Sequence, residues 1–188
     1  SGGAIWDNRD NSTDPRKGAY AEVEVQPFVG FSGSSSGIRT TADIRGYRAI
    51  GARLVIAGRV QLGSVVGPSI AQTPPDFLFF SGGGGTVRGQ GYQSLGVGTG
   101  PTRTGGRSFA GFSAEIRADV TEKIGAVAFF DYGYVSASSS FEGGGDHAGA
   151  GIGVRYKTGI GPIRADLAVP VTGNSRSVSL YVGIGQAF

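Results

Sequence analysis

The sequence predicts an all-β protein made of long antiparallel strands. Apolar and polar residues alternate along most of the chain, with the two-residue period that a strand gives to its side chains. Glycine supplies 36 of the 188 residues, against a usual share of about 7%. No run of about 18 apolar residues is present to form a membrane-spanning helix. The apolar surface of the protein must therefore lie on strands.

Eight strands and one partial strand are predicted in chain order. The clearest alternation lies at 107–120, where Phe112 and Ile116 share one face and Glu115 lies on the other. The partial strand covers residues 4–9. The eight full strands are 19–28, 38–48, 50–62, 107–120, 124–135, 147–157, 163–169 and 177–188.

Two architectures accommodate this alternation. A soluble sandwich would turn the apolar faces inward, whereas a transmembrane barrel would turn them toward lipid and enclose a polar lumen. The longer strands reach about 10 to 13 residues, which suits a tilted membrane crossing. Tight and long connections alternate, and aromatic residues end several apolar faces, as in a membrane girdle. These aromatic residues are Tyr132, Tyr134, Tyr156 and Phe188. We therefore expect a transmembrane antiparallel β-barrel, with the soluble sandwich as the alternative.

The alternation stops between residues 64 and 106, and the stretch FFSGGGGTVRGQGYQSLG at 79–96 lies in this interruption. Connections of such length in a compact domain are usually functional or disordered, and apolar side chains are costly to leave in water. A phosphate-binding loop needs Lys followed by Ser or Thr and then a helix, whereas Thr-Val-Arg follows these glycines. We expect residues 64–106 to fold into the lumen.

Arg88 is the one charged residue of that stretch. A guanidinium removed from bulk water is costly unless acidic groups pair with it. Glu115 and Asp131 lie on the polar faces of the two strands that follow the loop. These two acids are therefore the candidate partners of Arg88.

Other polar groups have structural interpretations. His147, beside Asp146 at a strand start, lacks convergent partners for metal binding or catalysis, so we expect an exposed histidine at a loop edge. The charged residues between 7 and 16 could form a cation site, but Asp and Asn followed by Pro15 and Gly18 are typical of a turn. Cysteine is absent, no Gly-x-Ser-x-Gly elbow exists, and the net charge of +3 is spread along the chain. We expect no catalytic residue, no metal, no cofactor and no nucleic-acid partner.

Several stretches resemble motifs of the bacterial outer-membrane assembly-factor superfamily, also called bacterial surface antigens. Residues 79–96 are similar to its sixth-loop motif, and YQSL at 92–95 is similar to the segment that follows in TamA-like translocation and assembly module subunits. FFDYG at 129–133 resembles the Phe-x-Asp-x-Gly strand motif, and SAEIR at 113–117 resembles the Ser-x-Glu-(Leu/Phe)-Arg strand. WDNRDNSTDPRKG at 6–18 is similar to the Asp-x-Arg-Asp hairpin. The resemblance runs from about Trp6 to Phe188 in the family's order.

The resemblance implies an outer-membrane barrel of a Gram-negative bacterium, non-enzymatic, that inserts or secretes β-barrel and autotransporter proteins through a lateral seam. Its partners would be outer-membrane lipid, the client proteins and a TamB-like subunit. Arg88 would pair with Glu115 and Asp131 inside the lumen. The loop-anchoring motif would be Val87, Arg88, Gly89, Gln90, Gly91 and Tyr92, the strand motif would include Phe129 and Gly133, and the terminal strand signal would include Val182, Ile184 and Phe188. The alternatives are a BamA-like barrel, a two-partner-secretion transporter and a passive outer-membrane pore.

The sequence departs from the family pattern in its loop and in its extent. A glycine stands where an acid is usual before Arg88, and Gln90 replaces an aromatic residue, so we expect a less firmly held loop. The chain shows eight to nine strands where the family barrel has sixteen, and it shows no POTRA domain. We therefore expect the C-terminal half of a barrel, completed by an N-terminal half or by a second copy, with a fragment that closes on itself as the alternative.

Overall fold

Nine antiparallel strands form one sheet in which every strand pairs with its neighbours in sequence. The structure is a computed structural model, and it describes residues 1–173 and 177–188. The strands are β1 (Gly2–Asp7), β2 (Gly18–Phe28), β3 (Gly37–Ile50), β4 (Leu54–Val66), β5 (Ser108–Asp119), β6 (Ile124–Ser136), β7 (Gly145–Tyr156), β8 (Ile163–Pro170) and β9 (Ser179–Ile184). The predicted all-β class and the antiparallel order are confirmed.

Several strand boundaries differ from the prediction, and at two places the reason is a glycine that turns the chain. β3 continues to Ile50, and β4 begins only at Leu54, since Gly51 adopts a φ of 62° in the turn between them. The last strand ends at Ile184 instead of Phe188, because Gly185 adopts a φ of 86°. Left-handed backbone of this kind is open to glycine at little cost and breaks a strand ladder.

The two faces of the sheet differ in the way that a membrane barrel requires. The apolar face, which carries Ile56, Ile116 and Ile152, is exposed, and the last two side chains are 53% and 65% accessible. The polar face, which carries Glu115 and Asp131, is covered, and both side chains are 1% accessible. A soluble sandwich would bury the apolar face. The sandwich alternative is therefore wrong, and the barrel arrangement of faces is confirmed.

The largest cluster of buried apolar residues lies between the polar face and the long connection from β4 to β5, residues 67–107. Phe79 of this connection packs with Val65, Phe109 and Val135 of the sheet. Phe77 packs against Phe28 of β2, with ring centroids 4.4 Å apart. The connection therefore supplies one part of the core, and two smaller clusters around Phe188 and Phe129 lie on the same face without it.

The strand connections divide between two ends of the sheet. At one end, termed the short-turn end, residues 51–53, 120–123 and 157–162 make short turns, and residues 8–17 join β1 to β2. The opposite end carries the longer connections 29–36, 67–107, 137–144 and 171–178. Bacterial outer-membrane barrels have short turns on the periplasmic side and longer loops outside. Among the described residues the helices are single 3₁₀ turns of three residues, and none is long or apolar enough to cross a membrane.

The sheet has two free edges in the described part of the chain. β1 pairs only with β2, and β9 pairs only with β8. The ladder between β8 and β9 covers six residue pairs, from Ile163–Ile184 to Ala168–Ser179. The unpaired backbone groups of these two strands are the places where a further strand can add.

Candidate functional site

Residues 79–97 fold back on themselves along the polar face of the sheet. Phe79 pairs with Gly106, and Ser81 pairs with Leu95, in isolated antiparallel bridges. Gly83 donates its backbone N–H to the carbonyls of Val87 and Gln90, which closes the tip of the loop. Gly82 and Gly83 have φ values of 113° and 95°, so glycine is required to turn the chain there. This tight tip presents Arg88 to the strands.

Arg88 is 3% exposed and binds three carboxylates. Its Nε and Nη2 donate to the two oxygens of Asp131 at 2.8 and 3.0 Å, and its backbone N–H donates to the same side chain at 3.1 Å. Its Nη1 donates to Glu115 at 2.8 Å. The guanidinium thus makes a bidentate pair with one acid and bridges to a second, a geometry that arginine provides and lysine cannot.

A third acid, Asp166 of β8, completes the site, and sequence reasoning missed its role. The Nη1 of Arg88 donates to the Asp166 carboxylate at 3.2 Å. The sequence signal that pointed to Asp166 was its place on the polar face of its strand, which alternation gives. The registers of β8 on β7 and of β7 on β6 could not be obtained from alternation alone. The structure therefore brings Arg88 together with Glu115 and Asp131, as expected, and adds Asp166.

Two wall arginines balance the charge of these acids. Arg117 donates to the second oxygen of Glu115 at 2.8 Å, and Arg155 donates to Asp166. With Arg88, three guanidinium groups face three carboxylates in a buried cluster. Buried charges need such pairing, because desolvation costs several kcal/mol per ion. The cluster joins the loop to the four strands β5, β6, β7 and β8.

Residues of the strand motif form part of the surface that the loop contacts. The guanidinium of Arg88 lies 3.5 Å from the ring centroid of Phe129, a cation–π contact. A Cβ at Gly133 would overlap the hydroxyl of Ser81, and a Cβ at Gly149 on the neighbouring strand would overlap the carbonyl oxygen of Arg88. Missing side chains at Gly133 and Gly149 therefore let the loop backbone approach the wall.

The loop motif divides into an anchored part and an exposed part. Val87 is fully buried, and the backbone N–H of Gly89 donates to the hydroxyl of Tyr181 at 3.1 Å. Gly91 is exposed and Tyr92 is 81% exposed, so the structure does not place these two residues against the wall. The expectation that Tyr92 anchors the loop is wrong for the described structure, because residues 91–94 form a turn in which the Tyr92 side chain stays exposed.

Gln90 anchors the loop by hydrogen bonds instead of by ring packing. Its Nε2 donates to the carbonyl of Ala148 at 2.8 Å and to the carbonyl of Thr172 at 3.1 Å. The expectation that Gln90 weakens the anchoring overlooked these acceptors. The amide group of Gln90 reaches both a strand carbonyl and a loop carbonyl. An aromatic ring at this position would leave these two carbonyls without that donor.

His147 is buried in the site and is not an exposed loop-edge residue as predicted. It is 6% exposed, and its Nε2 lies 2.8 Å from the Oγ of Ser81. Alternation places His147 on the polar face, beneath the loop. The prediction failed because it treated the start of β7 as solvent-exposed, whereas residues 81–90 cover it.

The terminal residues lie on both faces. Val182 and Ile184 are 69% and 65% exposed on the apolar face, as a lipid-facing strand requires. Phe188 is 8% exposed and packs with Tyr47 and Ala57 on the polar side. The prediction that Phe188 belongs to a lipid-facing girdle is wrong, because Gly185 turns the tail inward.

The inward tail joins the C-terminus to the hairpin between β1 and β2. The backbone N–H of Gln186 donates to Thr13, and its side chain donates to Asp14 at 2.8 Å. Arg117 donates to the Phe188 carbonyl at 3.2 Å, which connects the tail to the buried charge cluster. The tail and the hairpin therefore lie together at the short-turn end.

The charged residues between 7 and 16 form the predicted turn. The Oδ1 of Asn11 accepts the backbone N–H groups of Thr13 and Asp14, and the Oδ1 of Asp10 accepts those of Arg16 and Lys17. Burial raises the pKa of the Asp10 carboxyl, but these backbone donors lower it more, so its pKa lies below the ordinary value. Across residues 1–173 and 177–188, no group of three or more His, Asp or Glu is placed to hold a metal ion.

Comparison with solved structures supports the fold. The chain is similar to BamA from Haemophilus ducreyi lacking POTRA domains 1–3, with a TM-score of 0.76 and 18% sequence identity. The match covers 96% of this chain and 40% of that chain, so this chain spans less than half of that relative. At this identity the likeness shows the fold alone.

The family comparison covers the whole chain. The Omp85 superfamily domain matches residues 1–188. This match agrees with the motifs at 79–96 and 129–133, which resemble those of outer-membrane assembly factors. The chain belongs to the Omp85 superfamily of outer-membrane β-barrel proteins.

Proposed function

We propose that this chain is the barrel region of a TamA-like assembly factor in the outer membrane of a Gram-negative bacterium. It helps to insert or secrete β-barrel and autotransporter proteins. The observation that supports the proposal best is the loop bound inside the sheet by Arg88, Glu115, Asp131 and Asp166. A passive structural barrel has no need of a buried ionic cluster, which is costly to assemble.

The free edge of β9 supplies the place where a client strand would pair. β9 has six residues, and its tail leaves the ladder at Gly185. An edge strand presents unpaired N–H and C=O groups that can template another strand. The anchored loop reaches this edge through Tyr181 of β9, whose hydroxyl accepts the N–H of Gly89. The loop thus supports the strand at which the barrel opens.

The partners follow from this role. The preceding strands of a sixteen-stranded barrel, or a second copy of the chain, would cover the edges of β1 and β9, which are unpaired in the described residues. Outer-membrane lipid would surround the apolar face, and a TamB-like subunit would act from the periplasmic side. A BamA-like barrel and a two-partner-secretion transporter share the fold and the loop motif. Their periplasmic domains would distinguish them.

The test exchanges the charges of the central pair in the intact protein. Arg88→Glu should abolish most client insertion, because an unpaired buried charge costs about 3–5 kcal/mol. Adding Asp131→Arg should restore part of the activity, since the opposite charges again face each other. The measurement is the yield of a folded client barrel in vesicles, with Arg45→Glu as control, because Arg45 pairs with Asp43 and not with the three acids that bind Arg88.

Two results would contradict the proposal. Normal insertion by Arg88→Ala would show that the anchor is dispensable, since this variant removes every side-chain bond to the three acids. Constitutive ion conductance that is unchanged by Arg88→Ala, without any insertion activity, would support the passive pore instead.

A further inference from the structure

Arg48 occupies an unusual position on the sheet. Its place in β3 lies on the apolar face, between Gly46 and Ile50, and the ladder sets it opposite Ile56 of β4. The other strand arginines of the described residues lie on the polar face: Arg39, Arg45, Arg59, Arg117, Arg155 and Arg164. Arg48 is therefore the one cation that the nine described strands direct toward lipid.

No protein group neutralises Arg48 within the described part of the chain. Arg45, three residues earlier in the same strand, binds Asp43 at 2.7 Å on the polar face. The Arg48 side chain is exposed and makes no hydrogen bond or ion pair with residues 1–173 or 177–188. A guanidinium on a lipid-facing surface needs an anion or water, because hydrocarbon satisfies neither its charge nor its N–H groups.

The depth of Arg48 suits a lipid headgroup. It lies two residues before the end of β3, at the short-turn end, where Lys17 and Arg53 are also exposed. That end faces the periplasmic, phospholipid leaflet in an outer-membrane barrel. Long arginine side chains near a strand end extend to the membrane interface. Arg48, Lys17 and Arg53 are therefore three exposed cations at the same end of the sheet.

An apolar groove crosses β4, β5 and β6 on the lipid-facing side, and it starts at Ile56, the ladder partner of Arg48. Ile116, Phe130 and the small side chains of Ala114 and Ala128 also line it. The groove has a volume of ≈ 390 Å³. The volume and apolar lining of the groove suit part of an acyl chain. Because Ile56 of the groove pairs with Arg48, a lipid whose acyl chain lies in the groove can place its phosphate at Arg48.

We propose that Arg48 and this groove form a binding site for an anionic glycerophospholipid of the periplasmic leaflet. The guanidinium of Arg48 donates to the phosphate oxygens, for which its planar pair of N–H donors is suited. Lys17 and Arg53 add favourable charge around the headgroup. The acyl chain lies in the groove along β4, β5 and β6.

The test uses the intact protein in phosphatidylcholine nanodiscs with a trace of phosphatidylglycerol that carries a photoreactive acyl chain. Adducts should concentrate on peptides from β3 to β6 and should fall about fivefold in Arg48→Gln, because the headgroup loses its charged ligand. Arg48→Lys should keep most of the labelling. Lys123→Gln is the matched control, since it removes one exposed charge at the same end in the turn between β5 and β6.

A second variant tests the groove without removing the charge. Ala114→Phe fills the groove and should lower the adduct yield while Arg48 is retained, whereas unchanged labelling would overturn the proposed acyl position. Equal labelling of wild type and Arg48→Gln, or an equal loss in Lys123→Gln, would overturn the headgroup site. Equal labelling by a photoreactive phosphatidylcholine would do the same. Competition by lipid A as effective as that by unlabelled phosphatidylglycerol would overturn the assignment to the phospholipid leaflet.

Discussion

Arg88 shows why a single residue can fix a loop of this length. Four of its side-chain hydrogen bonds go to three carboxylates, and its guanidinium lies on the Phe129 ring. Each of these contacts constrains the plane of the group as well as its charge. A lysine would keep the charge and lose the bidentate geometry. The site therefore requires the planar shape of the arginine side chain as well as its positive charge.

Gly149 is the residue at which the smallest change should release the loop. In Gly149→Ala, the new Cβ would overlap the Arg88 carbonyl, so the loop backbone must move away from β7 at a cost of about 1–3 kcal/mol. We expect a lower temperature for the loss of the compact band in an unheated electrophoresis gel, and faster protease cleavage within residues 67–107.

Gly46→Ala is the matched control for this prediction. Gly46 also lies within a strand, but a Cβ there has no neighbour within 4 Å. The substitution should leave both measurements unchanged. If Gly149→Ala behaves in the same way as Gly46→Ala, the close approach of loop and wall does not contribute to holding the loop.

The residues whose role could be predicted from the sequence are those whose role follows from the face of the strand on which they lie. Alternation put Glu115 and Asp131 on the polar face, and burial of Arg88 then required them. Asp166 lay on the same face but needed the registers of β6, β7 and β8 to be recognised. His147 and Gln90 were misjudged because their neighbours, Ser81 and Thr172, come from distant connections. Contacts of that range leave no periodic signal in a sequence.

At the scale of elements, the long connection replaces the side-chain core that a small barrel would have. Small closed barrels fill their interior with inward side chains, whereas here Gly63, Gly133 and Gly149 leave space on the polar face. The loop fills that space with Phe79, Val87 and Arg88. Alternation predicted the strands correctly because each strand carries its own period. The loop has no such period. Its path had to be inferred from the free-energy cost of leaving its apolar side chains in water and its arginine unpaired.

The inward tail is the element for which burial makes a clear prediction. Phe188→Ala should destabilise the folded barrel by about 3 kcal/mol, since it empties a buried aromatic site beside Tyr47 and Ala57. The measurement is the urea concentration at which the unheated, compact gel band disappears. Val182→Ala is the control, because Val182 is 69% exposed on the apolar face and its loss leaves no internal cavity.

The comparison of these two variants separates two roles of the C-terminus. A stability loss confined to Phe188→Ala supports the packed tail seen here. Equal stability of both variants, with reduced delivery to the membrane for each, would instead mean that Phe188 acts only as a signal read during assembly.

For the whole molecule, the two free edges decide what the chain can do in isolation. β1 and β9 pair with nothing beyond β2 and β8 in the described residues, and open edges are not tolerated in lipid. We expect residues 1–188 expressed alone in detergent to give no monomeric band whose migration changes on heating. A stable heat-modifiable monomer would contradict this expectation and would mean that the sheet closes on itself.

Arg88 precedes all its acidic partners in the chain, and this order bears on how the barrel is built. Glu115, Asp131 and Asp166 lie on strands that are synthesised after the loop. The guanidinium therefore has all its partners only when β5, β6 and β8 have joined the sheet. A strand that paired one residue out of register would turn its carboxylate to the other face and leave Arg88 without that partner. The cluster thus couples the position of the loop to the register of three separate strands.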